Sequence, residues 1–211
     1  TTSAKAQEFT VQGDLVSSYV WRGVYQTGAS FQPTLGFSIG DFSVTAWGST
    51  DFDGNKSSEG LASKEIDLTA AYTLGESGPT LSVASLWWAG QGAGKYFNFK
   101  SHETAHFFEA GLAYTGADKN EQGKQNYSSY CELNYPFSVK SVDLNATVGF
   151  VPYKTYTVGY GNSGFAFTNV ALKATTAIRI TDSFSLPIFA QAIWNPCLED
   201  AHLVFGITLK P

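Results

Sequence analysis

Residues 9–23 alternate between apolar and polar side chains over a long stretch, with Val16 and Val20 as the exceptions. One parity carries Phe9, Val11, Leu15, Tyr19 and Trp21, and the other carries Thr10, Gln12, Asp14, Ser18 and Arg22. Because successive side chains point to opposite faces of a strand, the pattern predicts one long strand with an apolar and a polar face. This length exceeds the typical strand of about 5–6 residues and suits a tilted strand that crosses a bilayer.

The same alternation returns along the whole chain. Ten further segments follow it, at 31–39, 42–49, 64–74, 80–89, 106–115, 127–136, 142–152, 165–180, 185–195 and 201–209. No stretch has convincing helical periodicity. The sequence therefore predicts an all-β, antiparallel, up-and-down β-barrel that forms a single domain over residues 1–211.

Alternation alone does not say which face points outward, because a soluble lipocalin-like barrel has an apolar interior and a membrane barrel has the reverse. Charged residues make up 15% of the chain, against about 25% in a typical globular domain. Aromatic residues, also 15%, concentrate near strand ends, as in the interface girdles of membrane barrels. We therefore predict a transmembrane barrel in contact with outer-membrane lipid. The net charge of −5 argues against nucleic acid as a partner.

The tryptophans indicate the direction of the strands. Each of them lies near the C-terminal end of a predicted strand that leads into a longer or polar connection: Trp21, Trp47, Trp87, Trp88 and Trp194. The opposite strand ends have short connections, at 40–41, 75–79, 138–141 and 181–183. Outer-membrane barrels place short turns in the periplasm and long loops outside. The five tryptophans are therefore predicted to form a girdle at the outer membrane interface.

With these directions, strands 106–115 and 127–136 run the same way and need a returning strand between them. Residues 116–126 are too polar and Gly-rich to cross a bilayer, and eleven strands is an odd number where bacterial barrels have even ones. We therefore predict twelve strands, with one absent from the numbered chain at a discontinuity near residues 115–118. The alternative is that residues 95–100 form a strand and the assigned directions are wrong.

Four short motifs occur in order along the chain. They are Ser18-Tyr19-Val20-Trp21-Arg22-Gly23, Gln32-Pro33, Trp47-Gly48 and Glu65-Ile66-Asp67. In these motifs the chain resembles an uncharacterised family of outer-membrane porins. The resemblance implies a mature β-barrel of the Gram-negative outer membrane with pore activity, and it carries over no particular solute. No signal peptide is recognised and the chain ends on Lys210-Pro211 instead of an aromatic residue, so a mature or trimmed chain is expected.

Two segments resemble metal sites. Residues 102–106 read H-E-x-x-H, a zinc motif that requires a helix so that its two histidines share a face. In an extended chain these histidines lie about 13 Å apart, at ~3.3 Å per residue, so zinc chemistry is not expected. Asp51, Asp53 and Asn55 resemble the start of a calcium loop without its later ligands and are weak metal candidates. No catalytic residue and no cofactor is predicted.

Charged residues on or near the polar parity are candidates to line the lumen: Asp14, Arg22, Asp67, Glu109, Glu132, Asp143, Lys173 and Arg179. Charges inside a barrel must be paired or hydrated, so these residues form either a salt-bridged plug or a lining that selects solutes. We predict a small-solute channel with a narrow polar lumen and no enzymatic activity. The alternatives are a non-conducting barrel that binds a partner through its outer loops and a soluble ligand-binding barrel. Cys131 and Cys197 are expected to be free thiols.

Overall fold

The computed structural model describes residues 7–52, 64–74, 80–89, 95–100, 104, 106–111, 129–154 and 161–211. Over these residues the fold is all-β, with thirteen strands and no helix. None of the described residues belongs to a helix that is long and apolar enough to span a membrane. The strands are β1 (Gln7–Val16), β2 (Tyr19–Trp21), β3 (Val24–Thr27), β4 (Ser30–Ile39), β5 (Phe42–Asp51), β6 (Lys64–Thr73), β7 (Thr80–Ala89), β8 (His106–Gly111), β9 (Cys131–Val139), β10 (Val142–Val151), β11 (Ala166–Arg179), β12 (Ser185–Asn195) and β13 (Asp200–Leu209).

Eleven of the strands form one antiparallel sheet in the order β8-β7-β6-β5-β4-β1-β13-β12-β11-β10-β9. The N-terminal β1 pairs with the C-terminal β13, with Leu15 opposite Ile207. The predicted all-β, antiparallel fold is therefore confirmed. Within the described residues β8 and β9 are the two edges and do not pair with each other, so the sheet is not closed into a barrel.

The two edge strands run in the same direction. β8 is antiparallel to β7 and β9 is antiparallel to β10, and alternation through the sheet gives β8 and β9 one orientation. This agrees with the directions predicted from the tryptophans. The alternative strand at residues 95–100 is wrong, because these residues form a turn and irregular chain. The discontinuity predicted near residues 115–118 lies outside the described residues, and β9 continues to Val139, past its predicted end at residue 136.

Most strands of the sheet have one apolar face and one largely polar face, and an apolar cluster of Val16, Ala171, Ile193 and Val204 interrupts the polar one. The apolar face is exposed: Phe9 is 74% exposed and Leu35 58%. The opposite face, which we call the inner face, buries polar side chains, with Asn195 at 0% and Glu65 at 2% exposure. The hydrophobic effect drives the reverse arrangement in proteins surrounded by water. An exposed apolar surface of this extent indicates contact with another apolar phase or with a partner.

Residues 9–23 do not form one continuous strand, so that prediction was wrong. β1 ends at Val16, and β2 pairs with β3 in a separate hairpin, residues 19–27, which lies on the inner face. The turn residues Arg22 and Gly23 have positive φ angles of 50° and 82°, as the tight two-residue turns of hairpins require. Val16 and Val20, the exceptions to the alternation, both join an apolar cluster on the inner face.

Candidate functional site at the hairpin

Arg22, at the tip of the hairpin, bridges the two edges of the sheet. Its guanidinium donates two hydrogen bonds of 2.9 Å to the carboxylate of Glu109 on β8. It also lies 4.5 Å from the ring centroid of Tyr130, the residue that precedes β9. Bidentate arginine–carboxylate pairs combine charge with a specific geometry. The contact therefore holds the hairpin tip between strands at opposite ends of the sheet order.

Gly23, the second tip residue, lies against the other half of the sheet. The side-chain amide of Asn195 on β12 donates a hydrogen bond of 3.1 Å to the Gly23 carbonyl oxygen. A Cβ atom added to Gly23 would lie 2.2 Å from the Thr168 carbonyl oxygen on β11. Thr168 is the extra residue of a β-bulge, because Gly149 pairs with Asn169 and Phe150 with Phe167. The tip thus fits closely against the backbone of β11, and only glycine fits there.

The remainder of the hairpin packs on the inner face. The Tyr19 ring lies 5.4 Å from that of Trp47 on β5, centroid to centroid. Val20 packs against a buried cluster formed by Val16, Ala171, Ile193 and Val204. Strands β5, β8, β11 and β12 all reach the hairpin from the same face of one sheet. The sheet therefore curves around the hairpin, and the hairpin occupies the end of the sheet at which the longer connections lie.

An acidic pair on β6 lies beside the hairpin. Glu65 and Asp67 point to the inner face, since Ile66 between them is exposed on the other side. Neither carboxylate oxygen of Glu65 has a hydrogen-bond partner among the described residues, and Asp67 Oδ1 also has none. The phenol of Tyr19, on the hairpin, and the indole of Trp88, on β7, neighbour the Glu65 carboxyl group. Burial, and after it the Glu65 carboxylate, raise the pKa of the Tyr19 phenol well above its ordinary value, so Tyr19 stays protonated.

The structure brings three of the predicted lumen residues together. Arg22, Glu109 and Asp67 lie around the hairpin tip, where the charges of Arg22 and Glu109 both act on Asp67. Glu65 belongs to the same group but was absent from the sequence prediction. The available signal was its parity, because it lies two residues before Asp67 and therefore shares the inner face.

The other predicted lumen residues are spread along the sheet. Asp14 on β1 accepts a hydrogen bond of 3.1 Å from Gln12, and the Lys173 ammonium on β11 lies 4.0 Å from the ring centroid of Phe189. Glu132 on β9 accepts hydrogen bonds of 2.9 Å from Asn134 and 3.3 Å from Asn169. The last two lie near the short turns at the opposite end: Asp143 accepts from Ser138 at 2.7 Å, and Arg179 pairs with Asp182. A role in lining a lumen stays a prediction for all of them.

The five tryptophans divide between the two faces. Trp21, Trp47 and Trp88 lie on the inner side: Trp21 packs on Trp88 with centroids 6.5 Å apart, and Trp47 contacts Tyr19. Trp47 and Trp88 have the inner parity of β5 and β7, and Trp21 belongs to the hairpin on that face. Trp194 is 53% exposed on the apolar face, and Trp87 packs on Tyr96 with centroids 5.4 Å apart. The interface girdle stays a prediction for Trp87 and Trp194.

The described residues contain no group of three or more side chains suited to hold a metal ion. Asp51 ends β5 with both carboxylate oxygens buried and without a hydrogen-bond partner in the described structure, while Asp53 and Asn55 lie outside the described residues. In the H-E-x-x-H segment, His102 and Glu103 also lie outside them. His106 begins β8, a strand, and its ring nitrogens face Ser85 Oγ at 2.8 Å and the Tyr96 carbonyl oxygen. Both nitrogens of this histidine are therefore engaged by the protein itself.

Cys131 and Cys197 are free thiols, as predicted.

Comparison of the chain with protein-family models, curated protein sequences and solved structures gives no match in any of the three. The resemblance to outer-membrane porins therefore stays an expectation that depends on the quoted motifs.

Proposed function

We propose that this chain is a β-barrel of the Gram-negative outer membrane that carries small solutes through a narrow polar passage. The observation that supports this most is the placement of the two faces, with apolar side chains exposed outside and polar side chains buried on the inner face. Lipid stabilises an apolar exterior, and a membrane barrel has a polar interior. A soluble lipocalin-like barrel needs an apolar interior, which the buried polar side chains of the inner face do not provide.

The barrel we propose has twelve strands. Since β8 and β9 run in the same direction, one strand antiparallel to both would join them and give the even number of bacterial outer-membrane barrels. Both edge strands approach Arg22, which contacts Glu109 on β8 and Tyr130 just before β9. This approach supports the closure of the sheet into a barrel. Barrels of this size are narrower than the 16–18-stranded porins with open water channels.

The hairpin narrows the passage at the end where the longer connections lie. Its tip is held by Glu109, Asn195 and the backbone of Thr168, which belong to three different strands. Polar side chains continue along the inner face toward the short turns, for example Thr147 and Asn145. This arrangement favours small conductances over a wide pore. It also favours one second candidate, a barrel that the hairpin closes completely.

Single-channel recording tests the proposed function. We expect the purified, detergent-solubilised protein to insert into a planar lipid bilayer and to produce discrete current steps smaller than those of wide porins, because the hairpin narrows the passage. Solubility without detergent would instead favour the soluble barrel. A protein that inserts with intact β-structure and gives no steps would favour the closed barrel.

A further inference from the structure

Residues 95–100 lie against the apolar face of the sheet. The ring of Tyr96 packs edge-on against Trp87 of β7, with centroids 5.4 Å apart, and the ring of Phe99 stacks on His106 of β8 at 4.6 Å. Trp87 and His106 lie opposite each other in register, on the face away from the hairpin. The segment is therefore on the outside of the sheet, where the proposed barrel meets lipid.

Backbone contacts hold the segment in this position. The N–H group of Asn98 donates a hydrogen bond of 2.9 Å to the carbonyl oxygen of Lys95, which closes a turn. The imidazole Nε2 of His106 is hydrogen-bonded to the carbonyl oxygen of Tyr96, so the turn is tied to the start of β8. The side chains that the turn presents outward are thus part of the surface of the sheet.

Two aromatic rings of this turn point away from the protein. Phe97 is 84% exposed and Phe99 is 55% exposed. They extend the exposed apolar surface of β6 and β8, to which Ile66 and Phe108 belong. Exposed apolar side chains that join into one patch indicate a binding surface. Here the patch reaches the end of the sheet at which the longer connections lie.

A lysine stands at each end of the turn. Lys95 and Lys100 are both exposed, and residues 90–102 contain no acidic residue. Basic side chains next to exposed aromatic rings are typical of segments that lie in a membrane interface, where the rings enter the boundary between headgroups and acyl chains and the ammonium groups attract anionic lipid. This charge complementarity favours an anionic lipid surface as the partner.

We infer that residues 95–100 are an interfacial anchor that binds anionic lipid headgroups. Phe97 and Phe99 enter the boundary below the headgroups, while Lys95 and Lys100 contact the lipid phosphates. This inference rests on the proposed function, because it requires the apolar face to lie in a membrane. It adds a preference for anionic lipid, which the apolar face alone does not imply.

Quenching of tryptophan fluorescence by brominated lipid tests the anchor. Trp87 packs directly against the turn, and in a Trp194→Phe background it is the tryptophan left on the apolar face. The full chain is reconstituted in phosphatidylcholine vesicles that contain either brominated phosphatidylglycerol or brominated phosphatidylcholine. The ratio of the two quenching efficiencies measures the preference for the anionic lipid. We expect phosphatidylglycerol to be preferred at least about threefold.

The double variant K95Q/K100Q should bring this preference close to one, because the two ammonium groups supply the attraction for the anionic headgroups. The matched control, K140Q/K210Q, removes two exposed lysines at the other end of the sheet, in the turn before β10 and after β13. It should keep the preference of the parent protein. If the double variant does not fold, the single variant K95Q serves in its place, and its preference should also fall.

Three outcomes would overturn the inference. They are equal quenching by the two lipids in the parent protein, an unchanged preference in K95Q/K100Q with native β-structure, and an equal loss of preference in K140Q/K210Q. Failure of the proposed function is distinguishable from these. Absence of quenching by either lipid would reject the membrane barrel together with the anchor, whereas preferential quenching in a protein that gives no current steps would retain the anchor and reject the passage.

Discussion

Leu172→Lys is expected to destabilise the protein in lipid by about 2–4 kcal/mol, the cost of a basic side chain on the lipid face of a membrane barrel at the bilayer midplane. Leu172 is 45% exposed near the middle of β11, and it faces Ala146 and Ala192 on the neighbouring strands. The small neighbouring side chains leave room for lysine. The expected loss of stability therefore comes from the lipid around the side chain and not from a steric clash. Urea unfolding in lipid vesicles measures it.

Ile178→Lys is the matched control for this prediction. Ile178 lies on the same strand and the same face, is 48% exposed, and is near the short turn after β11. A lysine close to the membrane interface costs about 0–1 kcal/mol. A surface substitution in water usually changes stability by less than about 0.5 kcal/mol. Equal and small effects at both positions would therefore contradict a lipid-facing outer surface.

Gly23→Ala is expected to displace the hairpin tip and to raise the single-channel conductance severalfold. The new Cβ atom would lie 2.2 Å from the Thr168 carbonyl oxygen, and backbone cannot yield as a flexible side chain can. Alanine at the φ of 82° also adds the cost of a left-handed conformation, about 1–2 kcal/mol. Movement of the tip breaks the bidentate contact of Arg22 with Glu109 and widens the passage. Recording in planar bilayers measures the change.

The variant Gly40→Ala separates the effect of backbone strain from that of the steric contact with Thr168. Gly40 has a φ of 62°, so alanine there carries similar backbone strain, but a Cβ atom would meet nothing within 4 Å. The single-channel conductance of the Gly40→Ala variant should equal that of the wild type. A variant in which residues 19–27 are replaced by a short Gly-Ser link should conduct at least as well as Gly23→Ala. Unchanged conductance in both hairpin variants would show that the hairpin does not narrow the passage.

The strands and their outward faces were predictable from the sequence because both depend on local parity. Residues 65–70, for example, alternate strictly, and the structure exposes Ile66 and Leu68 as that pattern requires. The shared direction of β8 and β9 was predictable from a second feature, the placement of the tryptophans and of the long and short connections. The assignment of each residue to a face needs only the two-residue period of an extended chain.

The hairpin was not predictable, because its cause is partly non-local. Residues 17–21 continue to read as strand, and only the two misplaced valines, Val16 and Val20, indicated a change of face. The contact between Arg22 and Glu109 joins residues 87 positions apart, which no local pattern can reveal. For Glu65 the sequence indicates the face of the strand, which it shares with Asp67, but not the burial. Its burial depends on the hairpin that covers it.

Spin-label accessibility along β11 tests the inverted faces most directly. Labels are placed at positions 172–175, one at a time, in a background where Cys131 and Cys197 are replaced by serine, and the protein is reconstituted in lipid vesicles. We predict that oxygen, which concentrates in lipid, reaches positions 172 and 174 best, whereas a water-soluble nickel chelate reaches 173 and 175 best. Access of the nickel chelate to 172 and 174 would place the apolar face in water and contradict the membrane barrel.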